Sequence, residues 1–183
     1  MTTLPATQSR SPANRTVRNT ALALAGTVLL AISARISVPM WPVPISLQTL
    51  AVLMIGLTYG GRLATATLVL YLAEGAFGLP VFANGGGVMQ FAGPTAGYLL
   101  GFLIAASLLG YASDRGMTRS VHGLIAMLFL ATMAIYVPGA LWLAGFVGIE
   151  GALLAGVMPF LIGDALKAAI AAMAVWALRK RPL

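Results

Sequence analysis

Six long apolar segments run along the chain, separated by short stretches that are polar or rich in glycine and proline. They cover residues 20–34, 46–59, 63–77, 95–112, 123–147 and 152–178. A helix needs about 20 apolar residues to cross a hydrocarbon core about 30 Å thick, and these segments are near that length. Uninterrupted apolar runs fit helices, because a barrel strand alternates polar and apolar residues. We therefore predict an all-α integral membrane protein whose six transmembrane helices form a bundle.

The second and third segments are short, and only residues 60–62 separate them. This spacing predicts a tight helical hairpin with its tip among the lipid headgroups.

The composition agrees with a membrane protein. Hydrophobic residues make up 60% of the chain and charged residues 8%, whereas soluble domains carry about a quarter of charged residues. A formal net charge of +7 would suggest a nucleic-acid partner in a soluble protein, but the basic residues here lie between or beyond the apolar segments, where they act as topology signals. We expect no nucleic-acid binding. The chain has no cysteine and one histidine, His122, so we expect no metal site and no cofactor.

The basic residues also predict the orientation, because cytoplasmic loops accumulate positive charge. With six helices, both termini lie on the same side of the membrane. The opposite side carries only Arg35. The side of the termini carries nine basic residues: Arg10, Arg15, Arg18, Arg62, Arg115, Arg119, Arg179, Lys180 and Arg181. We expect both termini to be cytoplasmic and the protein to lie in the inner (plasma) membrane. Residues 1–18 are predicted to form a disordered cytoplasmic tail, and residues 19–183 the membrane domain. A second interpretation takes Arg10 to Arg18 as the start of a cleaved signal peptide.

Two predicted external loops differ from ordinary connectors. The segment from Arg35 to Ser46 contains three prolines, which fix φ and remove backbone donors, so it suits a lid or a pocket wall. The segment of residues 78–94 contains three consecutive glycines, with Asn84 and Gln90 near them. Glycines let a backbone approach a ligand closely, although a flexible re-entrant loop without a contact role is the other interpretation.

Asp164 and Lys167 lie three residues apart near the middle of the last apolar segment. A charge at the centre of a membrane helix costs about 2.5–3.5 kcal/mol, so two retained together indicate a function. The spacing of three places them on one helix face, and helical side chains lean toward the helix N-terminus, which is the predicted external end. Two interpretations stay open: a ligand site, or a structural ion pair.

Four segments in order resemble the BioY family, the biotin-specific substrate-binding subunits of energy-coupling factor (ECF) transporters. They read VPMWPVPISLQTLAVLMIGLTYGGRLA, YLAEGAFGLPVFANGGG, FAGPTAGYLLGF and LIGDALK, and the resemblance runs from Arg35 to Lys167. It implies a six-helix subunit that captures biotin from the external face. In many members it also implies a transmembrane coupling subunit and two cytoplasmic ATPases as partners.

Biotin presents a ureido group with two N–H donors and one carbonyl, an apolar ring with a thioether, and a chain that ends in a carboxylate. Asp164 suits the ureido N–H groups, and Lys167 can donate to an anionic oxygen. Asn84 is the third candidate contact, with an amide for the ureido group. The secondary candidate contacts are Gln48, Gln90 and Tyr98. Each of them also has an ordinary structural alternative, a hydrogen bond to a helix end or to the loop backbone.

Ala21 and Ala25 lie four residues apart on the first helix and form a small-residue patch that allows close helix contact in lipid. The resemblance implies that this face docks on the coupling subunit. Internal packing and self-association are the alternatives.

Two other functions fit parts of the sequence. The chain lacks the GxxxxGK[ST] phosphate-binding motif, so separate subunits supply the energy, or the protein is a proton-coupled secondary carrier of a small organic acid that uses Glu74 and Asp164. An intramembrane enzyme would use Asp164 and Lys167 as acid and base, but no nucleophile or metal cluster accompanies them. We predict a transport protein and not an enzyme.

Overall fold

Six α-helices make up most of the chain in a computed structural model that describes residues 12–180. They are α1 (Pro12–Arg35), α2 (Gln48–Tyr59), α3 (Gly61–Ala76), α4 (Ala96–Asp114), α5 (Val121–Gly156) and α6 (Met158–Lys180). Two short strands, β1 (Ser37–Val38) and β2 (Ile45–Ser46), and a 3₁₀ turn (Val88–Phe91) lie between helices. The prediction of an all-helical protein with six helices is confirmed. Within the described residues, α1, α4, α5 and α6 are long and apolar enough to cross a membrane, and α2 and α3 are shorter, with 12 and 16 residues.

The first helix begins earlier than the apolar pattern indicates. Residues 12–18, predicted as part of a disordered tail, belong to α1, so that part of the prediction is wrong. The polar side chains of residues 14–18 are exposed, and a helix that extends beyond the hydrocarbon core needs no apolar face there. Pro12 suits the first turn of a helix, where its missing N–H leaves no bond unmade. The remainder of the predicted tail, residues 1–11, lies outside the described residues.

The prediction that the sixth helix starts at residue 152 is also wrong. Helix α5 continues to Gly156, with one non-helical residue inside it, Gly148 at φ 76° and ψ 169°. Glycine adopts positive φ at little cost, so the chain kinks there. Helix α6 begins at Met158 with Pro159 in its first turn, where proline is tolerated. Asp164 therefore lies six residues, or about 9 Å, inside its helix instead of near the middle.

The hairpin between α2 and α3 has a single connecting residue. Gly60 has φ 79° and ψ 163°, a conformation that favours glycine. The Oδ2 atom of Asp114, at the end of α4, accepts the backbone N–H of Gly61 at 2.8 Å. A Cβ added to Gly110 would lie 2.7 Å from the Cα of Gly61. Helix α4 thus crosses the hairpin tip at close range and satisfies one of the free N–H groups at the start of α3.

The helices run up and down, so the bundle has two distinct ends. We call the end with the α2–α3 hairpin and the α4–α5 connection the basic end, because Arg62 and Arg115 lie there. We call the other end, with the β1–β2 hairpin and the glycine loop (residues 78–94), the loop end. Arg179 fastens α6 at the basic end by donating to the carbonyl and the hydroxyl of Thr118, at 2.5 and 2.9 Å.

Candidate functional site

Two adjoining cavities lie at the loop end of the bundle. Counting the space at their mouths, they have volumes of about 420 and 330 Å³. The same residues line part of both: Val43, Pro44, Ser46, Tyr98 and Phe102. Gln48, Asn84 and Gln90 line only the first cavity, which we call the amide end, and Tyr136 and Asp164 line only the second, which we call the acid end. The shared wall makes them two ends of one elongated site.

The proline-rich loop forms one wall of this site. Strands β1 and β2 pair antiparallel, with Ser37 opposite Ser46 and Val38 opposite Ile45. The turn between them returns the chain over the helices, and Val43 is only 5% exposed. Because proline restricts the backbone, the loop presents Val43 and Pro44 to the cavity from a stiff segment.

The glycine loop places Asn84 at the mouth of the amide end. Phe82 and Gly85 exchange two backbone hydrogen bonds, at 2.9 and 3.1 Å, which close a tight turn around Asn84. Phe82 is buried directly against Gly75 of α3, where a Cβ would clash with its ring. Gln90 Nε2 donates to the backbone carbonyl of Asn84 at 3.1 Å. Within the described residues the side-chain amide of Asn84 has no hydrogen-bond partner, so it is available to a ligand.

Gln48 is held by a buried tyrosine. Its Nε2 atom donates to Tyr71 Oη at 2.8 Å, and that hydroxyl donates to the carbonyl of Val81 at 2.9 Å. Because the tyrosine uses its hydrogen on Val81, it must accept from Gln48, and this fixes which way the amide points. The Oε1 atom of Gln48 accepts no hydrogen bond from residues 12–180. It is an acceptor without a partner at the amide end.

At the acid end, both oxygens of the Asp164 carboxylate have partners. Oδ1 pairs with Lys167 Nζ at 2.7 Å, and Oδ2 accepts from Tyr136 Oη at 2.8 Å. Lys167 also donates to the carbonyl of Ser46 in β2 at 2.7 Å. Asp164 is 3% exposed and Lys167 7%. The carboxylate is thus fixed by α5 and α6, with further acceptor capacity on each oxygen that it can offer to the cavity.

Tyr98 lies in the wall shared by the two ends and links two helices. Its hydroxyl donates to the carbonyl of Gly156 at 2.7 Å, and its ring lies so close to Gly139 that a Cβ there would clash. The bond joins α4 to the end of α5, next to the start of α6. The ring remains part of both cavity walls, while the hydroxyl is occupied by the backbone.

The structure therefore brings five of the six predicted ligand residues to one site: Gln48, Asn84, Gln90, Tyr98 and Asp164. Lys167 is not among the described residues that line the two cavities, and it reaches the site through Asp164 and Ser46. Sequence reasoning missed Tyr136. It is the only tyrosine in residues 123–147, and that is the one signal that would have singled it out.

Other predicted residues lie elsewhere. Ala21 and Ala25 are exposed on α1, while Ala23 and Gly26 face the bundle, so their docking role stays a prediction. Glu74 lines neither cavity, and its Oε1 accepts from Thr27 Oγ1 at 3.1 Å. Within residues 12–180 the pair of Asp164 and Lys167 is the only ion pair.

Known proteins resemble the chain over most of its length. The BioY family model matches residues 6–182. A probable biotin transporter BioY from Pyrococcus horikoshii is 40% identical over 144 residues, which cover 78% of this chain and 85% of the relative. A biotin transporter BioY from Rhizobium etli is 37% identical over 163 residues, with 84% and 87% covered.

Among solved structures, the S-component for biotin from an ECF-type ABC transporter superposes with a TM-score of 0.82 at 28% identity, and the match covers 94% of this chain and 96% of that one. FolT bound with folic acid has a TM-score of 0.61 at 20% identity, with 91% and 97% covered, which is a likeness of fold alone. The family model spans nearly the whole chain and the relatives match most of it, so the chain belongs to the BioY family.

Proposed function

We propose that this protein binds biotin in the two joined cavities and serves biotin uptake as the S-component of an ECF-type transporter. The observation that carries the proposal is a fixed, buried carboxylate at one end of a cavity whose other end presents unpaired amide groups. Relatives named as biotin transporters and the similar biotin S-component support biotin as the ligand.

The charges favour one orientation of the ligand. The ureido N–H groups fit the Asp164 carboxylate, which accepts hydrogen bonds and stays oriented by Lys167 and Tyr136. The ligand's own carboxylate is repelled by Asp164 and belongs at the other end, where Asn84 offers N–H donors and solvent is near. This differs from the sequence expectation that Asn84 meets the ureido group, because Asn84 and Asp164 line different ends of the site.

Lys167 supports Asp164 in this arrangement and does not hold the ligand's acid group. Its ammonium already bonds to Asp164 and to the carbonyl of Ser46. A buried carboxylate without a counter-charge would be strongly disfavoured. The apolar ring of the ligand then packs against Val43, Pro44 and Phe102, which line both cavities.

We also propose an orientation of the protein in the membrane. The six-helix bundle spans the inner (plasma) membrane, the loop end faces outward and both termini are cytoplasmic, in line with the arginines gathered at the basic end. A transmembrane coupling subunit and two cytoplasmic ATPases complete the transporter. Ala21 and Ala25, both exposed on α1, supply the contact with the coupling subunit. A proton-coupled carrier gains no support from the site, because Glu74 lies outside both cavities.

Binding of biotin to the purified protein in detergent, without ATP or an ion gradient, tests the proposal. We expect tight binding by calorimetry, weakened by Asp164→Asn, Lys167→Ala and Asn84→Ala. Glu150→Gln is the matched control, since this exposed carboxylate lies at the loop end outside the cavities, and it should bind as the native protein does. Absence of binding, or binding unchanged in all three variants, would show that the site is assigned wrongly. Uptake by this chain alone that a protonophore and Glu74→Gln both abolish would favour the carrier instead.

A further inference from the structure

A second concave site lies at the basic end, between α1 and the α2–α3 hairpin. It is an open groove of about 1170 Å³, counting the space at its mouth. Arg18, Asn19 and Arg62 line its polar part, and Leu22, Leu63 and Ala66 line its apolar part. It is separate from the two cavities at the loop end, and its residues Arg18 and Leu22 lie on the same face of α1 as Ala21 and Ala25, to which the proposed function assigns the coupling subunit.

The two arginines of this groove have no protein partners among the described residues. Within the described residues neither guanidinium makes a hydrogen bond or an ion pair, and both side chains are exposed. Arg35 and Arg179, in contrast, donate to backbone carbonyls, of Pro80 and Thr118. Asp114 is the one acidic group of the groove, and its Oδ2 atom is engaged by the N–H of Gly61. The groove therefore keeps an excess of positive charge.

The charged residues of the groove lie nearest the basic end, and the apolar residues follow them along the helices. Arg18 and Leu22 are four residues apart on α1, and Arg62 and Ala66 are four apart on α3, so each pair shares a helix face. A rise of about 6 Å along the helix separates each arginine from its apolar partner, which lies farther from the basic end. Such a groove matches an amphiphile with an anionic head and a hydrocarbon chain.

We propose that the groove binds an anionic phospholipid, such as phosphatidylglycerol, with its phosphate between Arg18 and Arg62 and an acyl chain along Leu22, Leu63 and Ala66. Guanidinium groups bind phosphate oxygens through paired N–H donors, and basic pockets beside membrane helices attract anionic headgroups. A zwitterionic lipid carries its own cation, which meets the arginines unfavourably. An acidic segment of a partner protein would use the arginines but not the apolar walls below them.

Native mass spectrometry of the full chain tests the proposal. The protein is equilibrated with equal amounts of phosphatidylglycerol and phosphatidylcholine that have the same acyl chains, and the retained lipids are compared. We expect the native protein to retain phosphatidylglycerol in preference. Arg18→Gln with Arg62→Gln should lower that preference about 30-fold, and each single substitution about fivefold, if each basic residue contributes about 1 kcal/mol. Inorganic phosphate should not displace the lipid.

Arg119→Gln is the matched control, because it removes one charge at the same end of the bundle outside the groove. It should leave the preference unchanged. Equal retention of the two lipids by the native protein would overturn the proposal, as would an unchanged preference in the single and double groove variants. An equal loss in Arg119→Gln would mean that bulk charge is responsible. A lipid site would also be refuted if inorganic phosphate displaced the bound lipid. The same holds if an acidic peptide displaced it and phosphatidylglycerol were no longer preferred over phosphatidylcholine.

Discussion

The ion pair of Asp164 and Lys167 either binds the ligand or only stabilises the fold. Substituting one residue and then both distinguishes these two interpretations. Asp164→Asn keeps the shape of the side chain but removes its charge. Lys167, which is 7% exposed, then loses its counter-ion and keeps only the carbonyl of Ser46. Adding Lys167→Met removes the uncompensated charge while retaining most of the apolar volume.

Asp164→Asn should change both the free energy of unfolding and the affinity for biotin, and the size of each change can be estimated. Breaking a buried ion pair from one side costs about 3–5 kcal/mol of folding free energy. For a chain of this length, each 1 kcal/mol lowers the melting temperature by about 2–4 °C, so Asp164→Asn should melt at least about 6 °C lower. The double variant should recover most of this loss. Losing a hydrogen bond from a ligand to a charged group costs about 1.5–3 kcal/mol, which weakens binding about 10- to 150-fold.

Thermal unfolding and biotin calorimetry on the same preparations give both readouts. If Asp164 binds the ligand, the double variant regains stability while its biotin affinity stays low. If the pair is structural only, removing both charges restores stability and affinity together, and that result would refute the assignment of Asp164 to the ligand. Glu150→Gln, an exposed carboxylate, should change neither measurement.

Three further predictions concern glycines and a tyrosine around the site and the hairpin. Gly75→Val should displace Phe82 and weaken biotin binding while helix content by circular dichroism is retained; unaltered affinity would contradict the role of this contact. Tyr98→Phe removes the bond to Gly156 and should lower the melting temperature by about 2–4 °C, the shift expected for a hydrogen bond of about 1 kcal/mol. Gly60→Ala should lower it by at least as much, because Gly60 has φ 79° and ψ 163°, a conformation that costs other residues about 1–3 kcal/mol; an unchanged melting temperature would speak against strain there.

The number and rough position of the helices were predictable because membrane helices must be long and apolar. The residues at which the helices begin and end were not predictable. The kink at Gly148 lies within an apolar stretch, and hydrophobicity carries no information about a positive φ. Only Pro159, in the first turn of α6, marks the true start of that helix. The start of α1 was missed for the opposite reason, because a helix that leaves the membrane no longer shows an apolar pattern.

The site was predictable where charge made it conspicuous. Asp164 and Lys167 stand out because charges in lipid are costly, and Asn84 because it precedes three glycines. Tyr136 was missed because a tyrosine in an apolar helix resembles ordinary core. The bond from Lys167 to the carbonyl of Ser46 joins residues 121 positions apart, and no local pattern specifies it. This contact explains why Lys167 supports the carboxylate and does not line the cavity.

A structure of the protein with biotin bound would show directly which end of the site holds each group of the ligand. We expect the ureido group at the acid end, with an N–H within hydrogen-bond distance of the Asp164 carboxylate, and the ligand's own carboxylate toward Asn84. A ligand carboxylate bound to Lys167, or biotin bound outside the two cavities at the loop end, would contradict it.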